Sequence, residues 1–450
     1  MSRGRRMSLR EAVQRERAEA ISRSKRKHAG KYGIGFQAGY RLGVEEGQRA
    51  FAIPFEGTSI IIPTYNQKEL LLQCIAGIEA HTEHPYEIIV IDDGSTDGTG
   101  EALQKRRGAV RVGSHRGNLG FASAVNTGLM MAKGQKIVLL NNDVIVTERW
   151  LKQMIAVLDS NPNAAVGPVT NYIGGEQQID TDYHSRSEME SFAANYNVAD
   201  RSKWRETDRL VGFCVLFSRE LFEEVGYFDE GYEIGNFEDD DWMLRLRLQG
   251  KRLVIAGDTF VHHIGSVTMK RLGDERYVVV NRQNERLFHE KWGKPFELIQ
   301  RLNAKERELR HRKSSDFFPT HVWVEGAGKP FWLEYGVKYP LIEVSSRGLP
   351  MKPVRLSVID LLRIPTGTRL SECKQAPTEG EFLQEGAVVR CENGKLYQFD
   401  RGRMREFASG YTRELWGLPI EPDLLTLDEL KQYEEGVPIL PPPRLKSEDL

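Results

Sequence analysis

Short, unbroken apolar runs that stop abruptly at prolines, acids or amides constrain this chain more than any other feature. Ser59-Ile60-Ile61-Ile62 ends at Pro63, Glu87-Ile88-Ile89-Val90-Ile91 ends at Asp92-Asp93-Gly94-Ser95, and Val138-Leu139-Leu140 ends at Asn141-Asn142-Asp143. A run this short, bounded by turn residues, reads as a strand buried on both faces. Proline ends such a strand because it cannot donate to the ladder. Between the runs, Leu70, Leu71, Cys74, Ile75 and Ile78 recur at helical spacing. Residues 96–105 and 121–133 read as further helices, 110–112 as a third strand and 136–140 as a fourth. Strands alternating with helices predict an α/β fold with a mostly parallel, Rossmann-like sheet flanked by helices.

Ligands of open α/β sheets bind at the carboxyl ends of the strands. That is where Asp92-Asp93 and Asn141-Asn142-Asp143 fall, and Glu238-Asp239-Asp240-Asp241 forms a third acidic cluster. Each cluster alone has an ordinary reading, as a turn, a helix cap or acids favoured by a helix dipole. Together they predict several carboxylates at one rim, an arrangement that a cation offsets.

The remaining chain divides by texture. Residues 1–56 form a basic arm, with Phe36, Tyr40 and Val44 on one helical stripe and Gly35, Gly39, Gly43 and Gly47 on the next. It reads either as a docking helix or as a solvated arm. Residues 57–295 hold the α/β domain, in which 170–208 reads as a long loop with short elements over the sheet edge and Gly257-Asp258 as a turn between two strands. Residues 296–316 read as a charged helical linker, 317–440 as a small β-rich module of two related units, and 441–450 as a disordered tail. Within the module, Asn393-Gly394 signals a hairpin. Trp323, Phe331, Trp332, Tyr335 and Tyr339 form either a sugar-stacking face or the core of that module.

Charge narrows the partners. With 63 basic and 64 acidic residues the net charge is −1, so no global field draws nucleic acid. No apolar run approaches the roughly 20 residues that span a bilayer, and the N-terminus lacks the apolar centre of a signal peptide. Cys74, Cys214, Cys373 and Cys391 have no metal or redox spacing. A cytoplasmic protein is expected, with the basic arm available for peripheral contact at the inner face of a membrane.

The motifs also carry a resemblance. Ile61-Ile62-Pro63-Thr64-Tyr65-Asn66, Val90-Ile91-Asp92-Asp93-Gly94-Ser95-Thr96-Asp97-Gly98-Thr99, Asn118-Leu119-Gly120-Phe121, Leu140-Asn141-Asn142-Asp143 and Phe237-Glu238-Asp239-Asp240-Asp241-Trp242 resemble the family 2 glycosyltransferases of the GT-A fold, in particular bacterial surface-glycan enzymes of rhamnosyltransferase type. His262-His263 ahead of Gly265-Ser266 extends the likeness, which covers about residues 57–295. The resemblance implies an inverting transferase that moves a sugar from a UDP- or dTDP-sugar to a hydroxyl of a surface polysaccharide or glycoprotein. It also implies a divalent cofactor, Mn2+ or Mg2+. Carried onto this chain, Pro63, Thr64 and Tyr65 line the nucleoside, Asp92 and Asp93 hold base and ribose, and Asn118, Gly120 and Asn142 complete the nucleotide-sugar site. Asp143 matches the metal-holding aspartate, with Asn141 where many relatives have a first aspartate. His262 or His263 completes the metal site. Asp239 matches the general base, with Glu238 nearer the acceptor and Asp240 a register alternative. The competing expectation is a catalytically silent glycan- or nucleotide-binding module on the same scaffold.

Overall fold

A computed structural model describes residues 55–106, 110–265, 274–303, 312–326, 328–340, 352–368, 383–421, 424–447 and 450. The expectations for 1–54, for Ser266 and for Cys373 lie outside the described residues.

The first half builds one sheet from β1 (Phe55–Thr64), β2 (Tyr86–Asp92), β3 (Val110–Ser114), β4 (Gly134–Leu140), β5 (Val144–Ile145), β6 (Ala164–Thr170), β7 (Trp204–Glu206), β8 (Cys214–Ser218) and β9 (Arg252–His263). The order is β3-β2-β1-β4-β8-β6-β9-β5, with β7 also on β9. β1, β2 and β3 are parallel, and so are β6 and β9. β8 runs antiparallel between β4 and β6, and β5 and β7 are antiparallel to β9. The sheet is therefore mixed rather than mostly parallel. Apolar runs record burial on both faces but not direction, so the β8 run reads no differently from those of the parallel strands β1 and β2.

Alternate residues of the runs divide between two cores, as strand pleating demands. Ile61, Ile89, Ile91, Leu139, Val215 and Phe217 face α3 (Phe121–Met131), α6 (Arg219–Val225) and α7 (Glu238–Leu248). Ile60, Ile62, Ile88, Val90, Val138 and Leu216 face α1 (Lys68–His81) and α4 (Trp150–Ser160). Each fully buried Ile or Leu contributes about 1.5–3 kcal/mol, and both layers are needed to cover a sheet with no polar face. A shorter helix, α2 (Thr99–Gln104), starts three residues later than its sequence signal.

One sequence expectation is refined here and one changes. Residues 170–208 contain α5 (Arg186–Tyr196), whose Met189 and Ala193 are its buried residues; so few apolar positions leave little helical periodicity to read. Gly257-Asp258 is not a turn. β9 runs straight through it as a bulge, with Pro168 opposite Ala256 and Val169 opposite Phe260. Segment 196–204 satisfies the bulge: Tyr196 donates to the Gly257 carbonyl, and the Asp258 carboxylate accepts from Trp204 Nε1 and the Asp200 N–H.

The expected linker is packed. Trp292 at the end of α8 (Asp274–Trp292), Leu298 and Ile299 of α9 (Pro295–Asn303), and Phe317 form a core with Leu244 and Leu248 of α7 and with Leu440. Residues 304–311 lie outside the described residues.

Beyond it stand two small sheets with one pairing plan. β10 (Val322–Gly326), β11 (Lys329–Glu334) and β12 (Val337–Pro340) form an antiparallel meander, and β13 (Val354–Arg355) lies parallel to β10, followed by α10 (Val358–Arg363). β14 (Val388–Cys391), β15 (Leu396–Asp400) and β16 (Arg403–Glu406) repeat the meander. After α11 (Gly410–Leu415), β17 (Leu424–Leu425) lies parallel to β14 and leads into α12 (Leu427–Leu430), and β18 (Glu434–Glu435) pairs with β16. The matching turns Tyr335-Gly336 and Arg401-Gly402 both have two positive φ angles, the hairpin geometry whose twist fits flanking strands. The Arg401 guanidinium lies 4.1 Å over the Tyr335 ring, joining the two units. Trp323, Trp332 and Tyr339 are cross-strand neighbours on the half-exposed face, whereas Phe331 packs towards the core.

The tail is not loose among its described residues. Leu445 and Leu450 enter the main core. Buried Glu230 accepts from the backbone N–H groups of Lys446 (2.5 Å) and Ser447 (3.0 Å), and Arg355 holds the carbonyls of Leu445 and Ser447. Prolines leave few backbone donors to satisfy, so a segment that reads as structureless can still be pinned at a few points. Among the described residues, no helix is long and apolar enough to cross a membrane.

Candidate functional site

The strand ends open onto a cavity of about 240 Å³, lined by Pro63, Thr64, Tyr65, Asp93 and Asn118, by Asn141, Asn142, Asp143 and His263, and by Glu238 and Asp239. Residues as far apart in the chain as Pro63 and His263 thus meet because β1 and β4 are neighbours and β9 returns beside β5.

The loop after β1 is held by its neighbours. Asn142 Nδ2 donates to Thr64 Oγ1 at 2.8 Å, and the Asp93 N–H donates to the Thr64 carbonyl. Asp93 accepts from the N–H groups of Leu119 and Gly120, both at 2.9 Å, and lies 2.7 Å from His115 Nδ1. Its oxygens therefore secure the 115–120 loop. Gly120 has φ +97°, and a Cβ there would meet the Ile234 backbone nitrogen at 3.2 Å. Asp92 lies outside the cavity lining; its Oδ1 accepts from the Ser95 N–H and closes the turn after β2. Gly120 shapes the loop without lining the cavity itself.

Asp143 and His263 are side by side because Val144 pairs with His263 across the β5–β9 ladder. His263 Nε2 lies 3.4 Å from Asp143 Oδ1. Its Nδ1 lies 2.7 Å from the Tyr172 carbonyl, which can only accept, so Nδ1 carries a proton and Nε2 is the nitrogen turned to Asp143. Burial lowers the His263 pKa, but the hydrogen bond and charge of Asp143 outweigh it and raise the pKa above its ordinary value. The ring stacks on Phe213 with centroids 5.2 Å apart. Asn141 Oδ1 is buried and has no hydrogen-bond partner among the described residues. His262 points to the other side of the strand, where Nδ1 meets the Tyr183 hydroxyl at 2.6 Å; burial, then neighbouring His263, lowers its pKa. Among the described residues, no three His, Cys, Asp or Glu side chains converge as a metal cage.

The four acids opening α7 separate by helical rotation. Glu238 and Asp239 face the cavity. Asp240 turns outward into a two-point pair with Arg209, at 2.7 and 2.9 Å. Asp241 turns inward to Lys291 (2.5 Å), Arg245, Tyr232 and Trp292. Asp239 accepts from the Gly212 N–H at 2.9 Å, and a Cβ on Gly212 would lie 2.9 Å from the Asp239 Cβ. Only glycine allows that approach. Burial and then the Asp240 charge push Asp239 up to about 6, against the Gly212 hydrogen bond. Burial, followed by Asp239, holds Glu238 well above the carboxylate range, and its Oε2 has no partner among the described residues. A base with a raised pKa and a neutral acid, side by side, can take and give protons near neutral pH.

The cavity gathers Pro63, Thr64, Tyr65, Asp93, Asn118, Asn141, Asn142, Asp143, Glu238, Asp239 and His263, and omits Asp92, Gly120 and His262. Sequence reasoning missed Gly212, Phe213, His115 and the 234–236 segment. Of these only Gly235, next to an acidic cluster, carried a local signal.

Residues 59–226 match Glycosyl transferase family 2. The chain is similar to glycosyltransferase GlyG of Streptococcus pneumoniae, 28% identical over 212 residues that cover 44% of this chain and 68% of that one. It is 30% identical over 227 residues to a chondroitin synthase of Pasteurella multocida, covering 43% of this chain and 23% of the synthase. Among solved structures, GalNAc-T7 with UDP, GalNAc and Mn2+ aligns with a TM-score of 0.40 and 18% identity, covering 57% of this chain and 55% of the other.

Proposed function

We propose that this chain, whose residues 59–226 match Glycosyl transferase family 2, is an inverting transferase using a UDP- or dTDP-sugar, with a hydroxyl of a glycan or glycoprotein as acceptor. The observation that carries the reading is a cavity whose lining includes Asp143, His263 and Asn141 together with Asp239.

Each part has a role that its surroundings suit. Pro63, Thr64 and Tyr65 line the nucleoside, with Asn118 and Asn142 beside it. Asp93 lines the cavity while it secures the 115–120 loop, and Asp92 closes the turn after β2 through Oδ1; the two carboxylates hold the base and ribose. Asp239 takes the proton of the acceptor hydroxyl as that oxygen attacks the anomeric carbon from the face opposite the leaving diphosphate. Glu238, kept neutral, donates a hydrogen bond to an acceptor oxygen.

The donor set fits a divalent cation. Asp143 supplies a carboxylate, His263 in its neutral form an Nε2 oriented by the Tyr172 carbonyl, and Asn141 an oxygen that is otherwise orphaned. When bound, Mn2+ or Mg2+ supplies Lewis-acid neutralisation of the diphosphate charge. Two protein ligands and one amide make a weak cage, so cation and nucleotide should bind together.

A thermal-shift and calorimetric panel of nucleotide sugars, with and without Mn2+ or Mg2+, tests the proposal. Stabilisation by UDP or dTDP compounds that needs the cation supports it. No response to any nucleotide sinks it.

A further inference from the structure

One wall of the cavity is built from a backbone that its own residues disfavour. Ile234, Asn236 and Phe237 have φ angles of 61°, 79° and 72°. The left-handed region is unfavourable for side chains with a Cβ and worst for a β-branched residue such as isoleucine. Such a conformation persists only where the surroundings over-determine it.

The determinant is one stripe of α8, outside the span 59–226. Asn284, 2% exposed, accepts the Glu233 N–H at 3.0 Å through Oδ1. Its Nδ2 donates to the carbonyls of Glu233 and Gly235, both at 2.9 Å, and of Asn236 at 3.1 Å. One turn earlier, Asn281 accepts from Asn236 Nδ2 at 3.1 Å. One turn later, the Phe288 ring packs on Phe237 with centroids 5.7 Å apart. From the far side, the Phe121 N–H donates to the Ile234 carbonyl. Ile234, Gly235 and Asn236 line the cavity, and the next residues are Glu238 and Asp239 across Phe237. Pro63, Thr64 and Asn142 touch none of these bonds; the wall meets the Asn118–Gly120 loop through the Phe121 N–H on the Ile234 carbonyl and the close approach of Gly120 to the Ile234 nitrogen.

We propose that Asn284 is the positioning residue of the acceptor wall: by holding 233–236 in its left-handed form, it sets which hydroxyl-bearing acceptor reaches Asp239, without contributing to donor binding. This rests on the transferase reading above. An amide is required because the staple needs one acceptor and several donor contacts at once, and no other side chain of that size offers both.

The test uses the full chain with Asn284→Ala and Asn284→Asp; the aspartate keeps the volume and the acceptor but loses the N–H donors. Three measurements are taken: hydrogen exchange of the amides in 233–237, binding of UDP and dTDP with Mn2+, and transfer from the nucleotide sugar that the thermal-shift panel selects to a panel of p-nitrophenyl glycosides. Exchange should rise at least tenfold in both variants, nucleotide affinity should stay within twofold, and acceptor KM should rise at least tenfold or the accepted glycosides should change. Adding Ile234→Gly to Asn284→Asp removes the disfavoured β-branched residue and should return exchange to within threefold of the parent. Unchanged exchange, failure of that rescue, or equal loss of nucleotide binding and acceptor use would overturn the assignment. Absence of nucleotide binding by the parent chain would instead overturn the transferase reading, while the exchange measurement still reads the staple.

Discussion

His263 turns Nε2 towards Asp143 Oδ1 at 3.4 Å because its Nδ1–H is taken by the Tyr172 carbonyl, while His262, one residue earlier, faces Tyr183 on the opposite side of the strand. Strand alternation thus separates two adjacent histidines into different tasks. Replacing His263 with Ala should weaken Mn2+-dependent UDP binding at least tenfold, and replacing His262 should leave it within twofold. Titration of Mn2+ in the presence of UDP measures both, and a larger loss at His262 would refute the assignment.

Asp239 must be ionised to accept a proton, and its pKa stands near 6. Transfer should therefore fall as pH drops through about 6, with Asp239→Asn inactive at every pH but still binding nucleotide. Asp240 helps to raise that pKa, so Asp240→Asn should move the acid limb to lower pH. Removing Arg209, whose charge lowers it, should move the limb to higher pH. A pH–rate profile that ignores all three changes would exclude Asp239 as the base.

Gly212→Ala places a methyl group 2.9 Å from the Asp239 Cβ. The carboxylate must shift from its hydrogen bond with the Gly212 N–H. Misplacement of about 1 Å costs up to about a hundredfold in rate, so kcat should fall at least tenfold with nucleotide affinity intact. Wild-type kcat in this variant would show that the close approach is not needed.

Lys291 is 1% exposed and pairs with Asp229 and Asp241, both at 2.5 Å. Removing one member of a buried pair strands the other charges, at about 3–5 kcal/mol, so Lys291→Met should lower thermal stability markedly at pH 7. Burial alone would raise the Asp241 pKa, but Lys291 and Arg245 hold it below its ordinary value. A depressed carboxylate stabilises the fold above its unfolded pKa, and that contribution is lost as pH falls through the folded value. The melting difference between Lys291→Met and the parent should therefore shrink at strongly acidic pH; a pH-independent difference would contradict the pairing.

Glu230 gathers the Lys446 and Ser447 N–H groups and the Asn126 amide around one buried carboxylate. Glu230→Ala leaves these donors without that acceptor, at about 1–3 kcal/mol for each that water cannot reach. Removal of residues 444–450 should destabilise further by uncovering the core that Leu445 and Leu450 close. Differential scanning calorimetry of both variants reads the effect, and an unchanged melting temperature would show the tail to be dispensable.

Sequence alone settled what depends on neighbours along the chain. The short apolar runs identified the buried strands because period and burial are local properties, and the polar clusters after them marked the cavity rim because turn residues must follow a strand end. Tertiary structure decided direction and register. β8 runs antiparallel, His263 rather than His262 meets Asp143, and Asp239 rather than Asp240 faces the cavity, since each outcome depends on which partner strand or helix lies alongside. The 234–236 wall and the docked tail were illegible for the same reason: residues far away in the chain hold them, through Asn284 and Glu230, against what their own sequences prefer.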